Sequence, residues 1–342
     1  MKARGAGILI GKLPTGGKNC ITDVAGVLVG HVTLDFPLEE SGKEYACTGV
    51  TAVLPHSGNL FSEKVTAASY VINGFGKTTG LVQVNELGVL ESPIMLTNTF
   101  AVPAVTQGVL EYMLQKTPEI GDTTGTINIV VGECNDSYLN SIRLFPVKPM
   151  HAIEAIKNAT TRQVMEGAVG AGKGMMCFGY KGGIGSSRIV DDYTVGCLVL
   201  SNFGKKEELQ RYRYAGGEGL SETSDGSIIL VLATDAPLSD RQLQRLAKRC
   251  GIGLGRTGSH FSHGSGDIVI AFSTAQKIAH FSEDVLEPRV QLREEHPIMN
   301  LLFTAAAEAA EEAILNSLSQ AVTTSGRLGR VVNQINFSIE ES

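Results

Sequence analysis

Tryptophan is absent from this 342-residue chain, and no apolar run approaches the roughly 18 residues that a membrane span requires. The N-terminal stretch MKARGAGILIGKLPTGG breaks its short apolar run with Gly, Lys and Pro before an export signal can form. A cytoplasmic location, with no membrane partner, is the expectation. A surplus of positive charge is also missing: 29 Lys and Arg stand against 35 Asp and Glu, net −6, mixed along the chain. The electrostatic footprint of a nucleic-acid binder is therefore lacking, and nucleic acid is not an expected partner. The six cysteines (Cys20, Cys47, Cys134, Cys177, Cys197, Cys250) form no C-x-x-C pair. That spacing speaks against a zinc knuckle or a disulfide framework and predicts reduced, mostly buried thiols.

Several cofactor motifs are present only in broken form. G-A-V-G-A-G-K-G at 167–174 fits the start of a P-loop, but Gly174 stands where Ser or Thr must hold Mg²⁺, so it reads as a flexible glycine turn. Gly253-Leu-Gly255-Arg-Thr-Gly258 follows a helix and precedes a strand, the reverse of the order a dinucleotide-binding turn needs. His260 and His263 stand three apart in a loop, with no third ligand at a suitable spacing. No G-x-S-x-G elbow anchors a hydrolase triad. Neither a cofactor nor a metal is expected.

The chain does have 40 glycines, about 12% against a usual figure near 7%, together with 43% hydrophobic and 19% charged residues. Such a mixture builds a large core with many tight turns. Strand-length runs recur at 48–55, 80–84, 93–98, 126–132, 174–179 and 194–202, separated by helical periodicities at 102–116 and 150–160. Residues 204–226, GKKEELQRYRYAGGEGLSETSDG, are polar and without period, and read as an exposed linker. Directly after it, the continuous apolar run 228–233 predicts a strand buried on both faces. Ser239 with Gln242 forms a capping-box pattern opening a helix that stops at Gly251. Residues 267–272 are a further strand, and 297–321 a long Ala-rich helix, either an interface element or a covering helix.

The abrupt junction Asp225-Gly226-Ser227 sets a hydroxyl after a glycine, between linker and buried strand. Glycine allows close approach to its carbonyl and a strained peptide. Ser227 could attack the Gly226 carbonyl, shift the acyl group from nitrogen to oxygen, and be freed when water hydrolyses that ester. The new chain would begin at Ser227, which would then carry both a nucleophile and a free α-amine. With a reference pKa of about 7.7 to 8, that amine is partly neutral near pH 7, as a general base must be.

Nine ordered segments carry a resemblance to a known family: ITDVAGVLVGHVTL (21–34), GVTAVLPHSGNLF (49–61), VINGFGKTTGLVQVNELG (71–88), PIMLTNTFAV (93–102), VVGECNDSYLN (130–140), VGAGKGMMCFGYKGGIGSSR (169–188), TVGCLVLSNFG (194–204), DGSIILVLATDAPL (225–238) and GSGDIVIAFST (264–274). Over nearly the whole chain the sequence resembles the DmpA and BapA group, the L-aminopeptidase/D-esterases and β-peptidyl aminopeptidases. The resemblance implies an α/β (α+β) fold, a four-layer αββα sandwich similar to the N-terminal nucleophile hydrolases with different strand connectivity. It implies one domain over residues 1–342, self-cleaved into chains 1–226 and 227–342 that stay together, working without cofactor as a homo-oligomer of four such units.

Carried over residue by residue, Ser227 matches the nucleophile, and Ser265 and Asp267 in GSGD match the pair that orients it and its amine; some members have Glu at the position of Asp267. Asn202 matches the asparagine whose side-chain amide holds the oxyanion, and Glu133 and Tyr138 fall in the segment that supplies acidic and aromatic groups to the substrate pocket. The implied activity is release of N-terminal residues from short peptides, amides or esters through an acyl-enzyme on Ser227. Two rivals stand beside it. An acyltransferase like the ornithine acetyltransferases would favour Thr as nucleophile, and a homologue that never cleaves would serve as a scaffold or binding protein. Preference for L-, D- or β-residues depends on pocket shape.

Overall fold

The apolar run after Gly226 forms the middle of a sheet. In the computed structural model, which describes residues 1–190, 192–209 and 226–337, strand β11 (Ser227–Thr234) is buried along all its length. It runs parallel to β12 (Gly266–Ala279) and antiparallel to β10 (Thr194–Asn202). Its side chains serve two cores alternately: Ile228, Leu230 and Leu232 enter one, and Ile229, Val231 and Ala233 the other. A strand covered on both faces has no solvent face to alternate with, hence the uninterrupted apolar sequence.

The sheet is completed by β3 (Glu63–Gly74), β4 (Val89–Leu90) and β9 (Gly183–Val190), in the order β4-β3-β12-β11-β10-β9. A second sheet has the order β1-β2-β5-β6, from β1 (Leu28–Pro37), β2 (Tyr45–Leu54), β5 (Ile94–Asn98) and β6 (Val130–Cys134). Val53, Leu96 and Val130 of this sheet share a core with Leu200, Ile229 and Ile270 of the first, so the two sheets pack face to face. Helices α2 (Val102–Lys116) and α3 (Pro149–Lys157) cover the outer face of the four-stranded sheet. Helices α4 (Asp240–Arg256) and α5 (Ile298–Ser319) cover the outer face of the six-stranded one. The result is the four-layer αββα sandwich.

Some local expectations are corrected. Residues 80–84 form no strand: Leu81–Leu87 is a helix, α1, held between Gly80 and Gly88, both at positive φ (88° and 67°). The β-branched residues mislead there because Val82 points to solvent, 88% exposed, while Val84 is buried. The expected strand at 174–179 shrinks to β7 (Met176–Cys177), hairpinned with β8 (Tyr180–Lys181), because Phe178 (φ 52°) and Gly179 (φ 74°) turn the chain back. The strand expected at 126–132 starts only at Val130.

Ser239 and Gln242 do exchange capping hydrogen bonds, but α4 continues past Gly251 to Arg256. A Cβ on Gly253 would lie 2.3 Å from the Ala307 carbonyl oxygen, so this glycine serves close packing of α4 on α5. Gly170–Gly174 is no flexible loop either. It is a buried 3₁₀ turn, and Lys173 pairs with Asp35 at 2.8 Å.

Helix α5 is the covering helix of the two readings. Its Glu308 accepts from the backbone N–H groups of Lys12 and Leu13, and its Glu312 pairs with Arg4, so the N-terminal segment wraps it. In the expected linker, residues 206–209 are a 3₁₀ turn with Leu209 buried; residues 210–225 lie outside the described residues. All six cysteines are buried and free. No helix among the described residues is long and apolar enough to cross a membrane.

Candidate active site

Ser227 sits at the first position of β11, where strand register gives it two neighbours: Asn202, the last residue of β10, and Gly266, the first of β12. The Gly266 N–H donates to Ser227 Oγ over 3.1 Å. Ser227 is 9% exposed. The preceding residue has no freedom to be anything but glycine: a Cβ on Gly226 would lie 1.9 Å from the Asn202 carbonyl oxygen. Close backbone approach, beyond the conformational freedom argued from sequence, explains Gly at this junction.

Ser265 and Asp267 flank Gly266. The Ser265 hydroxyl donates to Asp267 Oδ1 over 2.6 Å, while Asp267 Oδ2 is buried with no hydrogen-bond partner among the described residues. Burial pushes the Asp267 carboxyl up to about 6, the Ser265 hydrogen bond pulling it down. The segment is fixed from β3, where Asn73 Nδ2 donates to the carbonyls of Ser262 (2.8 Å) and Ser265 (2.6 Å). A register shift between β12 and β3 falls just after Asp267, so a bulge aims this corner.

The Asn202 side chain is held at both ends. Its Oδ1 accepts from the Met176 N–H at 2.9 Å, and its Nδ2 donates to the Asn135 carbonyl at 3.0 Å. That leaves the second Nδ2 hydrogen to donate elsewhere. Beneath Met176, the fully buried Lys181 ammonium donates to the carbonyls of Gly172 (2.9 Å), Met175 (2.6 Å) and Gly182 (2.7 Å), which fixes the peptide preceding Met176. Burial brings the Lys181 ammonium down to about 7.

A cavity of about 250 Å³ opens beside Asn202, with Asn135, Tyr138, Phe203 and Gly204 among its walls. Tyr138 and Asn202 thus line the same cavity. Glu133 does not line this cavity. Its carboxylate is 4% exposed and accepts from the Lys77 N–H at 2.7 Å and from the Thr99 hydroxyl. It lies next to Gly76, whose Cβ, if present, would be 3.3 Å from Glu133 Oε1 and 3.9 Å from Gly266 Cα. Glu133, on β6, and Gly266 thus flank the 75–77 loop at Gly76. Asp136, in the same segment, is buried below Asn135 and Tyr138, and burial pushes its carboxyl up to about 7 against hydrogen bonds from Thr48, Asn140 and Asn98.

The sequence reading names neither Gly266, Asn73, Asn135 nor Lys181. Gly266 has no side chain to attract notice, and Asn73 acts from 189 to 192 residues away. The Asn-Gly-x-Gly-Lys pattern at 73–77 is the one local signal, since Asn before a glycine loop often bonds nearby carbonyls. His260 and His263 stay without metal-ligating company: no group of three or more His, Cys, Asp or Glu among the described residues could hold a metal ion.

A serine at the start of a central strand, in a sandwich of two helix-covered sheets, is the arrangement of a serine aminopeptidase on a variant of the N-terminal nucleophile hydrolase fold. The chain belongs to peptidase family S58, whose model matches residues 19–332. It is 41% identical to the β-peptidyl aminopeptidase BapA of Sphingosinicella microcystinivorans over 98% of this chain and 89% of that protein. Its fold is similar to the crystal structure of the PH0078 protein of Pyrococcus horikoshii OT3 (TM-score 0.89, 48% identity, 98% of this chain and 96% of that one). It is also similar to the L-aminopeptidase D-Ala-esterase/amidase of Ochrobactrum anthropi (TM-score 0.88, 33% identity, 99% and 95%), described as a prototype of the serine aminopeptidases and a new variant of the Ntn hydrolase fold. The chain is a hydrolase acting as an aminopeptidase on small peptides or amides.

Proposed function

We propose that this protein is a single αββα domain that cuts itself between Gly226 and Ser227, leaving chains 1–226 and 227–342 associated, and then uses Ser227 as an N-terminal nucleophile. The observation that carries this reading is the position of Ser227 between Asn202 and Gly266 at the head of a central strand. The Ser227 hydroxyl adds to the Gly226 carbonyl, the C–N bond breaks as the nitrogen takes a proton, and water hydrolyses the resulting ester. The new α-amine then takes the proton from Oγ as Ser227 attacks a substrate carbonyl, and gives it to the leaving amine. Asp267 Oδ2, buried and without a hydrogen-bond partner among the described residues, is the acceptor for the ammonium form, with Ser265 steadying the carboxylate. The free hydrogen on Asn202 Nδ2 meets the developing oxyanion.

Glu133 neutralises the substrate's free amine and Tyr138 lines the pocket. The substrates are short peptides, amino-acid amides or esters; relatives named for β-peptidyl and for L-aminopeptidase and esterase activity support that breadth. The protein works in the cytoplasm without nucleic-acid or membrane partners, as a homo-oligomer of four αβ units. Self-association is supported by the exposed apolar residues Phe281, Val285, Leu286 and Val290 on one segment.

The test is intact mass and N-terminal sequencing of purified protein, beside release of amine from an aminoacyl amide. Two chains are expected, the smaller beginning Ser-Ile-Ile-Leu, and Ser227→Ala is expected to stay whole and inactive. A whole wild-type chain after long incubation at neutral pH would favour a scaffold role.

A further inference from the structure

Among the described residues, the walls of the cavity beside Asn202 include two positive charges and no acidic side chain: Arg327 and Arg330, from the C-terminal segment, line it together with Asn202 and Asn135. Neither guanidinium has a carboxylate partner among the described residues. Arg327 Nε is buried with no hydrogen-bond partner among the described residues. Arg330 donates from Nη1 to the Tyr138 carbonyl at 3.0 Å, and its guanidinium lies over the Tyr138 ring, 4.7 Å from the centroid.

The backbone of both arginines is fixed. The Arg327 N–H donates to the Leu139 carbonyl at 2.8 Å, and the Arg330 carbonyl accepts from Gly326 N–H at 2.9 Å. Two always-charged guanidiniums, one with a buried unmatched donor, make a site for a planar anion that accepts two hydrogen bonds.

The location says which anion. Asn202 lies directly across β10 and β11 from Ser227 and lines this cavity, and Phe203 and Gly204 extend the wall beyond it. At about 250 Å³ the cavity is below the roughly 300 to 1,000 Å³ of sites for drug-sized ligands, and suits one amino-acid residue. We infer that Arg327 and Arg330 bind the α-carboxylate of the residue that leaves as amine, which makes dipeptides with a free C-terminus the preferred substrates. The inference rests on the aminopeptidase reading above. It adds a specificity site on the leaving-group side, distinct from recognition of the substrate amine by Glu133.

The experiment compares alanyl-alanine and β-alanyl-alanine with the same dipeptides amidated at the C-terminus, on wild-type, Arg330→Gln, Arg330→Lys and Arg327→Gln proteins. Wild type is expected to show a KM roughly tenfold lower for the free acid than for the amide, with similar kcat. In Arg330→Gln and Arg327→Gln that ratio is expected to fall towards one, and in Arg330→Lys to recover in part. Equal KM values for acid and amide in the wild type, or a ratio untouched in both Gln variants, would overturn the inference. Calorimetric titration of the processed wild-type protein with alanine and alaninamide, the two leaving amines, reads the carboxylate preference independently of turnover. A protein that binds acid over amide but hydrolyses neither would sink the aminopeptidase reading and leave the arginine site standing; hydrolysis of both without preference would do the opposite.

Discussion

The backbone N–H of Gly266 donates to the hydroxyl of Ser227 over 3.1 Å, across a parallel pair of strands joined through helix α4. This contact holds the proposed nucleophile by an atom that every residue except proline possesses, yet glycine alone fits without displacing its neighbours. A Cβ at position 266 would lie 2.6 Å from the Phe75 carbonyl oxygen and 3.2 Å from Ser227 Oγ.

Gly266→Ala is therefore expected to fold, with the 75–77 loop pushed aside, and to lose roughly 10²-fold in kcat, the scale of an ångström's misplacement at a reacting atom. Circular dichroism and amine release from an aminoacyl amide check this. Wild-type turnover in the variant would take the Gly266 contact out of the mechanism.

Asn202→Asp keeps the oxygen that accepts from Met176 but replaces the donor with an acceptor aimed at the Asn135 carbonyl. Turnover is expected to fall by roughly 10²- to 10³-fold, the usual loss of an oxyanion donor. Steady-state kinetics on the processed variant decides, and an undiminished kcat would leave the oxyanion without an assigned partner.

In the proposed self-cleavage, Asp267 is expected to set a pH dependence. Its carboxyl is raised to about 6 by burial, so it is mostly protonated at pH 5 and ionised at pH 7. If the carboxylate form supports the attack of Ser227, cleavage of freshly refolded chain, followed by intact mass, speeds up as pH rises through about 6 and then levels. Asp267→Asn should remove that limb and cleave slowly throughout. A flat wild-type profile between pH 5 and 8 would exclude Asp267 from the step.

Glu133→Gln retains an oxygen for the Lys77 N–H while losing the charge. Its KM for aminoacyl amides is expected to rise roughly tenfold, with kcat less affected, the cost of one charge-assisted contact to the substrate amine. An unchanged KM would assign Glu133 to holding the 75–77 loop and Thr99 alone.

The sequence by itself determined the mixed layered architecture and the family. A six-residue apolar run with no alternation suits a strand covered twice, and Ser239 with Gln242 suits a helix start, because these signals follow from local burial and capping. The junction between polar linker and apolar strand marked Ser227, and the family resemblance marked Asn202, Ser265 and Asp267.

What the sequence did not determine was anything depending on closeness between distant segments. Residues 80–84 look like a strand by composition, but glycines at positive φ on either side and the packing of Val84 make them a helix. Gly226 must be glycine because β10 passes within 1.9 Å of where its Cβ would stand. Asn73 clamps a loop nearly 190 residues away, and Arg327 and Arg330 share a cavity with Asn202 because the backbone at Arg327 bonds back to Leu139. Such contacts are set by sheet order and backbone approach, quantities with no period and no spacing along the chain, so only the tertiary structure could decide them.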